Sequence, residues 1–332
     1  YCDSKYCKEI QREISAYAVC AFCCCIFCKN LLKGGVCMKN LNLCAVVVWF
    51  NPQSLEKPVS NVNSYSKFLH KVYIVDNSEC DNSNIAKEIQ NAVYIPLKKN
   101  TGIANALNVG CELAIKDGFE FCMTMDQDSV WEETELKKYI EKISENKNEF
   151  QNFSPVLKYS SLYSFTENLK HLLFHSKQKE FFDFQFSDRW ITSGSVLNLN
   201  VWEELGKFNT ELFIDEVDFD YCARFSERGF KNLCLSDVIL NHNLGAQKKV
   251  LFINYGAHSD FRLYYQIRNL LYMCRVYPAY TYKYKYKYKC NLIKLTLKII
   301  LLHPLKIVSY LRLYKKAVLD SKKIFAFEAE KK

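Results

Sequence analysis

Residues 121–129 read FCMTMDQDS, an apolar run that ends in a short acidic turn. The run from Phe121 to Met125 is apolar enough to form a buried strand, and Asp126 and Asp128 follow it closely. Buried strands of this kind are typical of parallel sheets, which bind their ligands outside the carboxyl ends of the strands. The stretch therefore predicts an α/β fold with a ligand site at its two acids.

Apolar runs upstream repeat this arrangement. Residues 44–49 (CAVVVW), 72–75 and 92–95 each predict a further buried strand. A helix is predicted from about Thr101 to Lys116, because four apolar residues share one of its faces: Ile103, Leu107, Cys111 and Ala114. Strands that alternate with helices predict a doubly wound, mostly parallel sheet flanked by helices.

The pattern downstream is less regular. A charged amphipathic helix is predicted from Glu132 to Lys147, after which the pattern weakens until Trp190. Residues 213–229 then read as an acidic turn that leads into a helix. We interpret residues 38–250 as one catalytic domain.

Cysteine is concentrated at the start of the chain, where residues 1–37 hold 8 of the 16. This stretch contains two C-x-x-C pairs, but they are nearly contiguous and lack the intervening loop of a tetrahedral metal site. We expect the functional protein to begin at Met38, because the interpretable pattern starts directly after it. Residues 1–37 are then an extension without a role in the fold.

The positive charge is concentrated at the other end. The net charge is +9, and from residue 261 onward 17 Lys or Arg stand against 3 Asp or Glu. Residues 251–332 are therefore predicted to be a basic, amphipathic, helical appendage that meets an anionic surface and not nucleic acid. Lys294 and Lys298 interrupt the apolar run 292–302, which favours a helix lying in a membrane interface over one that spans it. A helix packed on the catalytic domain is the alternative.

Polar residues suited to chemistry follow several of the predicted elements. Asp126 and Asp128 offer the oxygen ligands that Mg²⁺ and Mn²⁺ prefer, although a solvated, helix-capping turn would look similar. Asp76 ends the second strand and could accept hydrogen bonds from a base or ribose. Residues 192–195 (TSGS) are small enough for a ligand to approach the backbone. Residues 215–220 (DEVDFD) hold four carboxylates, and one of them is a candidate general base.

Eight blocks of sequence together resemble a known family. They are VVVWFNP, YIVDNS, NTGIANALNVG, TMDQDS, WITSGSVL, LFIDEVDFDYCARFSERG, NHNLG and RLYYQIRN. In this order, over about Leu43 to Asn269, the chain resembles glycosyltransferase family 2. The DQDS and FIDEVD forms favour its rhamnosyltransferase-like branch. The resemblance implies a GT-A fold.

The resemblance also implies roles for individual residues. Asp76 resembles the nucleoside-binding acid, Asp128 the metal-binding second acid of the D-x-D element, and Asp218 the general base. Asp215 is a rival base, because Val217 replaces the usual first acid of that motif. The remaining predicted nucleotide-sugar contacts are Asn100, Asp126, Ser193, Gly194, Arg262 and Arg268. His242 is predicted either as a further metal or diphosphate contact or as a strand-end residue with a local hydrogen bond.

These expectations define one predicted reaction. An inverting glycosyltransferase that depends on Mg²⁺ or Mn²⁺ would move a sugar, L-rhamnose from dTDP-rhamnose, to a cell-surface polysaccharide or lipid-linked glycan. It would work in the cytoplasm, bound peripherally to the inner face of the cell membrane. The alternatives are a UDP-hexose donor on the same fold and a non-catalytic module that binds sugar nucleotides.

Overall fold

The computed structural model describes residues 41–52, 56–159, 181–242, 247–250, 253–256, 260–283, 293 and 307–330. The chain divides into two compact units, residues 1–41 and 42–332, and the second contains every described helix and strand. The predicted extension at residues 1–37 lies outside the described residues. So does the apolar run 292–302, apart from Ile293.

The strands and helices alternate along the first part of the chain, as predicted. The strands are β1 (Leu43–Trp49), β2 (Val72–Asp76), β3 (Ala92–Pro96), β4 (Phe121–Asp126), β5 (Ser129–Val130), β6 (Asn152–Tyr159), β7 (Phe181–Asp183), β8 (Val196–Asn198), β9 (Asn232–His242), β10 (Gln247–Val250) and β11 (Ile253–Gly256). The helices are α1 (Glu56–Ser66), α2 (Ser83–Ala86), α3 (Ile103–Lys116), α4 (Glu133–Asn146), α5 (Leu199–Glu204), α6 (Val217–Glu227), α7 (Asp260–Val276), α8 (Pro278–Lys283) and α9 (Ile307–Glu330).

The first four strands form a parallel sheet in the order β3-β2-β1-β4. Every residue of β1 is buried, because the strand has a neighbour on each side. Helix α3 packs so closely on it that a Cβ atom on Gly110 would lie 2.4 Å from Cγ1 of Val46. The register pairs Trp49 with Asp76 and Val48 with Asp126, so both acids lie at one edge of the sheet. The predicted α/β class is confirmed.

Beyond β4 the strand directions are mixed. The order continues β4-β8-β6-β9-β5, with β8 antiparallel to β4 and β6, and with β9 parallel to β6. The sequence pattern predicts no strand between residues 147 and 190, and this is wrong, since β6 and β7 lie there. Pro155 obscures the pattern of β6. The register against β9 shifts between Pro155 and Val156, and such irregularities are where strands accommodate proline.

The C-terminal part is helical. Leu263 and Ile267 of α7 pack against Ala317 of α9 in a small apolar cluster. Within the described part of the chain, no helix is long and apolar enough to cross a membrane. The described cysteines are free thiols, and Cys44, Cys111, Cys122 and Cys222 are buried.

Candidate active site

Three groups able to ligate a metal converge at the ends of β4 and β9. One ligand atom from each of Asp126, Asp128 and His242 lies within 4.8 Å of the others. His242 reaches this place because β9 runs beside β5, which pairs it with Ser129. The hydroxyl of Ser129 and Nδ1 of His242 form a hydrogen bond of 2.7 Å, which leaves Nε2 for another partner.

The two carboxylates of the DQDS turn lie close enough to affect each other. Burial, and then the charge of Asp126, raises the pKa of Asp128 to about 6, while His242 acts in the opposite direction. The hydroxyl of Ser193 donates to Oδ2 of Asp126. A pair of like charges beside an imidazole fits a divalent cation, because the cation would offset their repulsion.

Asp218 is half-buried near the N-terminus of α6. Burial, followed by the charge of Glu216, raises its pKa to about 7, although Arg189 lowers it. The backbone N–H of Phe219 donates to its Oδ1 at 2.9 Å. The carboxyl group therefore titrates near neutral pH, which suits a general base.

Tyr159, at the end of β6, connects the metal-ligating group to α6. Its pKa is raised first by burial and then by the carboxylates of Asp183, Asp126, Asp218 and Asp128. Such influences fall off with distance, so these carboxylates lie within electrostatic range of the Tyr159 hydroxyl. The ring of Tyr159 also contacts His242 edge to face, with centroids 5.3 Å apart. The acids of the DQDS turn and Asp218 therefore both act on the hydroxyl of Tyr159.

Asp215 forms an ion pair with Arg262 of α7. Nη2 and Nε of Arg262 donate to its two carboxylate oxygens at 3.0 and 3.2 Å. Burial of the guanidinium lowers the pKa of Arg262. The ion pair with Asp215 and the charge of Asp126 raise it by more, so the pKa is raised overall. Arg262 thus pairs its positive charge with the acidic loop and lies within electrostatic range of Asp126 in the DQDS turn.

A second polar cluster lies at the end of β2. Asp76 is buried, and its Oδ2 accepts hydrogen bonds from Nδ2 of Asn82 and the hydroxyl of Tyr94, each at 2.7 Å. Its Oδ1 accepts from the backbone N–H of Ser78 at 3.0 Å. Burial, and then the bond to Asp76, raises the pKa of Tyr94. These contacts fix the carboxylate of Asp76 at the sheet edge that also carries Asp126.

Asn100 lies in the loop before α3 and is connected to the same edge. Its Oδ1 accepts hydrogen bonds from Nδ2 of Asn77 at 3.0 Å and from the backbone N–H of Gly102 at 3.1 Å. Asn77 in turn accepts from the backbone N–H of Thr101 at 2.7 Å. Because Asn77 directly follows Asp76, the network brings Asn100 close to the predicted nucleoside-binding acid.

Gly194 and Arg268 have packing roles beside their predicted roles as ligand contacts. Gly194 has a φ of +76°, and a Cβ atom there would lie 2.5 Å from Cδ2 of Leu240, so the position requires glycine. Arg268 is buried, and its Nη2 donates to the carbonyl oxygens of Glu211 and Leu212 at 2.6 and 3.1 Å. Contact of either residue with a ligand stays a prediction.

Sequence reasoning missed Tyr159, Asn82 and Tyr94. Tyr94 could have been found, because it falls in the predicted strand 92–95, whose end faces the same sheet edge as Asp76. Tyr159 lies in the strand that the sequence pattern does not predict, and Asn82 lies in a loop. No motif marks either one.

Comparisons with known proteins agree with this geometry. Residues 44–196 match the family described as glycosyl transferase family 2. The dTDP-rhamnosyl transferase RfbF of Shigella flexneri is 29% identical over 252 residues, which cover 71% of this chain and 81% of that protein. A crystal structure of GalNAc-T7 with UDP, GalNAc and Mn2+ matches with a TM-score of 0.52 and 12% identity. The match covers 81% of this chain but 57% of that one, and it concerns the fold alone.

The fold and the site define the class of this protein. A parallel sheet with a D-x-D turn after its fourth strand, continued by strands of mixed direction, is a GT-A glycosyltransferase fold. The resemblance of its motifs to glycosyltransferase family 2 is confirmed by the family match over residues 44–196 and by the similarity to RfbF. The similarity to a dTDP-rhamnosyl transferase supports the rhamnosyltransferase-like branch.

Proposed function

We propose that the protein catalyses inverting, metal-dependent transfer of L-rhamnose from dTDP-rhamnose to a cell-surface polysaccharide or lipid-linked glycan. One observation carries this proposal: Asp218, whose pKa is raised to about 7, and the metal-ligating acids Asp126 and Asp128 all act on the hydroxyl of Tyr159. Asp218 would accept a proton, while Asp126, Asp128 and His242 would hold a cation that offsets the charge of a departing diphosphate. The relative from Shigella flexneri supports the choice of donor.

Asp76 is the proposed contact for the nucleoside. Its carboxylate, fixed by Asn82 and Tyr94, is suited to accept a hydrogen bond from the N–H of a pyrimidine base. Asn100 supports this region through Asn77. The contact would serve thymine and uracil equally, which is why a UDP-hexose remains the alternative donor.

The sugar and diphosphate are proposed to lie between the sheet edge and α7. Asp126 and Ser193 would contact the nucleotide sugar, with Gly194 giving the backbone room. Arg262 is exposed enough to reach a phosphate and already carries its charge beside Asp215. Arg268 is proposed to act from the same helix on the diphosphate.

Asp128 and His242 are the proposed metal ligands, with Asp126 close enough to join them. When bound, Mg²⁺ or Mn²⁺ would neutralise the charge that develops on the leaving diphosphate. Ser129 would orient His242 by holding its Nδ1. The raised pKa of Asp128 fits this assignment, since it reflects burial and a neighbouring carboxylate that a cation would compensate.

Asp218 is the proposed general base. Its burial makes the carboxylate more basic than an exposed aspartate, so that it can remove the proton of an attacking hydroxyl near neutral pH. A single in-line displacement inverts the sugar and needs no nucleophilic carboxylate. Asp215 is the rival base, but its ion pair with Arg262 makes its carboxylate less available.

The C-terminal region is proposed to attach the enzyme to an anionic membrane on the cytoplasmic side. Helix α9 exposes Val308, Leu311 and Leu319 by 62%, 64% and 50%. Lys315 and Lys322 lie on the same helical face, which is the pattern of a helix at a membrane interface. A lipid-linked acceptor would be presented there. Nucleic acid is not a proposed partner.

A donor panel tests the reaction. Purified protein with Mg²⁺ or Mn²⁺ is incubated with dTDP-rhamnose and with several UDP-hexoses, and release of nucleoside diphosphate is followed. We expect release from dTDP-rhamnose that is lost in Asp218→Asn and kept in Asp237→Asn, an exposed acid outside the site. A preference for a UDP-hexose would replace the donor and keep the mechanism. Donor binding without turnover would favour the non-catalytic module.

A further inference from the structure

The loop before α6 has an unusual backbone conformation. Phe213, Asp215 and Glu216 have φ values of 64°, 63° and 62°, in the left-handed region that residues other than glycine rarely adopt. Such conformations persist only where the surrounding structure holds them. The loop directly precedes the helix that carries Asp218, so its conformation decides where that carboxylate lies.

Each of the five carbonyl groups from residue 211 to residue 215 accepts a hydrogen bond from a neighbouring helix. The backbone N–H of Ile103, at the start of α3, donates to the carbonyl of Phe213 at 2.7 Å. The donors to the other four carbonyls include two adjacent residues of α7, Arg268 and Asn269. The carbonyl of Leu212 also accepts from the backbone N–H of Ile214 within the loop, at 2.7 Å. The loop is therefore held from two sides.

Asn269 makes the most contacts with this loop. It is fully buried, and its Nδ2 lies 2.8 Å from each of the carbonyl oxygens of Leu212, Ile214 and Asp215. Its Oδ1 accepts from Nε of Arg268 at 2.8 Å, which fixes the orientation of the amide. Both N–H groups of the amide are engaged by the loop and the residue is fully buried, so we assign Asn269 to the loop and not to a ligand.

We propose that Asn269 is a positioning residue for Asp218: its amide holds the left-handed loop in the conformation that sets the general base. The inference rests on the proposed function, because it assigns Asn269 to the same transfer step. Nδ2 binds the carbonyl of Asp215, three residues before Asp218. Loss of this contact would let the loop relax and displace the N-terminus of α6.

The test compares Asn269→Ala with Asn108→Ala. Asn108 is a matched control, since it too is a buried amide that bonds backbone, donating to the carbonyl of Phe208 at 2.9 Å and accepting from its N–H at 3.0 Å. Its side-chain hydrogen bonds go to Phe208 and not to residues 211–216. Both variants lose a buried amide, but only Asn269→Ala should affect the general base Asp218.

We expect kcat of Asn269→Ala to fall about 30-fold or more, because small displacements of reacting groups are costly. The KM for donor should change by less than about threefold, and the acid limb of the kcat profile should move to lower pH as Asp218 becomes more hydrated. Asn108→Ala should keep kcat within about threefold of wild type at a similar loss of Tm. Asn269→Gln, which keeps the amide, should recover part of kcat.

Hydrogen exchange gives a readout without catalysis. Backbone amides of residues 211–217 should exchange faster in Asn269→Ala than in wild type. In Asn108→Ala their exchange rates should be the same as in wild type. Equal effects of the two variants on kcat, or unchanged exchange in the loop, would overturn the proposal. A wild-type protein that turns over no sugar nucleotide would instead overturn the proposed function, and exchange would still decide whether Asn269 holds the loop. If Asn269→Ala does not fold, Asn269→Gln is compared with Asn108→Ala instead, and its displaced amide should give a smaller fall in kcat and a smaller rise in loop exchange.

Discussion

Nε and Nη2 of Arg224 both donate to Oδ2 of Asp220, at 3.0 and 2.8 Å. The hydroxyls of Tyr272 and Tyr277 donate to its Oδ1 at 3.3 and 3.0 Å, and the residue is fully buried. Both carboxylate oxygens are thus occupied by protein groups. Among the described residues, Asp218, two residues earlier, has no such set of partners and accepts from the backbone N–H of Phe219. Asp220 therefore anchors α6 to α7, which is compatible with the proposed role of Asp218 as the general base.

Because Asp220 anchors α6 to α7, its replacement should destabilise the protein. Asp220→Asn should lower the free energy of unfolding by about 3–5 kcal/mol, because Arg224 would keep its charge and lose its buried partner. Denaturant unfolding measures the loss. Asp237→Asn is the control, since this exposed acid pairs with Lys142 at 3.0 Å and should contribute less than about 1 kcal/mol. Similar losses in the two variants would contradict the anchoring role.

The pKa of Asp218 predicts how activity depends on pH. A general base works only when it is deprotonated, and burial raises this pKa to about 7. We expect kcat to rise with pH through about 7 and then to level off. The kcat profile at saturating donor and acceptor measures this. An acid limb near pH 4, where an ordinary aspartate titrates, would show that another group or an exposed Asp218 is responsible.

Asp218 and Asp215 should differ in their effects on transfer. Asp218→Asn should reduce kcat by about 100-fold or more with donor binding preserved, because general base catalysis is lost. Asp215→Asn should be milder, since asparagine can still accept one hydrogen bond from Arg262. Single-turnover rates and donor Kd values for both variants separate chemistry from binding. The reverse ranking would exchange the two roles.

The metal site can be tested without the reaction. Asp128→Asn should retain the fold and weaken Mn²⁺ binding, measured from the EPR signal of free Mn²⁺. Ser129→Ala should weaken it by about tenfold, because His242 would lose the hydroxyl that orients its ring. Asp117→Asn, on the surface, is the control and should bind as wild type. Full transfer by Asp128→Asn in the presence of chelator would exclude the proposed role.

The sequence predicts β1, β2 and β4 well because these strands are buried on both faces and read as apolar runs. The edge strand β3 is only partly buried, but residues 92–95 still form an apolar run. It does not predict β6, because Pro155 interrupts the run and the strand accommodates it only through a register shift against β9. Such a shift depends on a partner about 80 residues away. It cannot be seen in the local pattern.

The same reasoning applies to the site. Asp76, Asp126 and Asp128 could be predicted because each stands directly at or after a strand end. The difference between Asp218 and Asp220 could not be derived from spacing, because it depends on Tyr272 of α7 and on Tyr277, which directly follows that helix. Tyr159 was missed for the same reason, since strand pairing and not sequence brings it beside His242.

The outward face of α9 predicts binding to anionic membranes. Its inward residues Ala317 and Ser321 are fully buried, whereas residues 308, 311, 315, 319 and 322 follow one exposed stripe that is partly apolar and partly basic. Vesicles with phosphatidylglycerol should carry wild-type protein upward in flotation at low salt. Binding should weaken at high salt, because each lysine near anionic lipid contributes about 1 kcal/mol that salt screens.

Two double variants separate the apolar and electrostatic contributions of this stripe. Leu311→Ser with Leu319→Ser should reduce flotation at every salt concentration, because exposed apolar area that would enter the interface is removed. Lys315→Glu with Lys322→Glu should reduce it mainly at low salt. Val93→Ser is the control, since Val93 is an exposed apolar residue of β3 outside this helix. If both double variants float as wild type does, α9 is a packing helix and the membrane contact must be sought elsewhere.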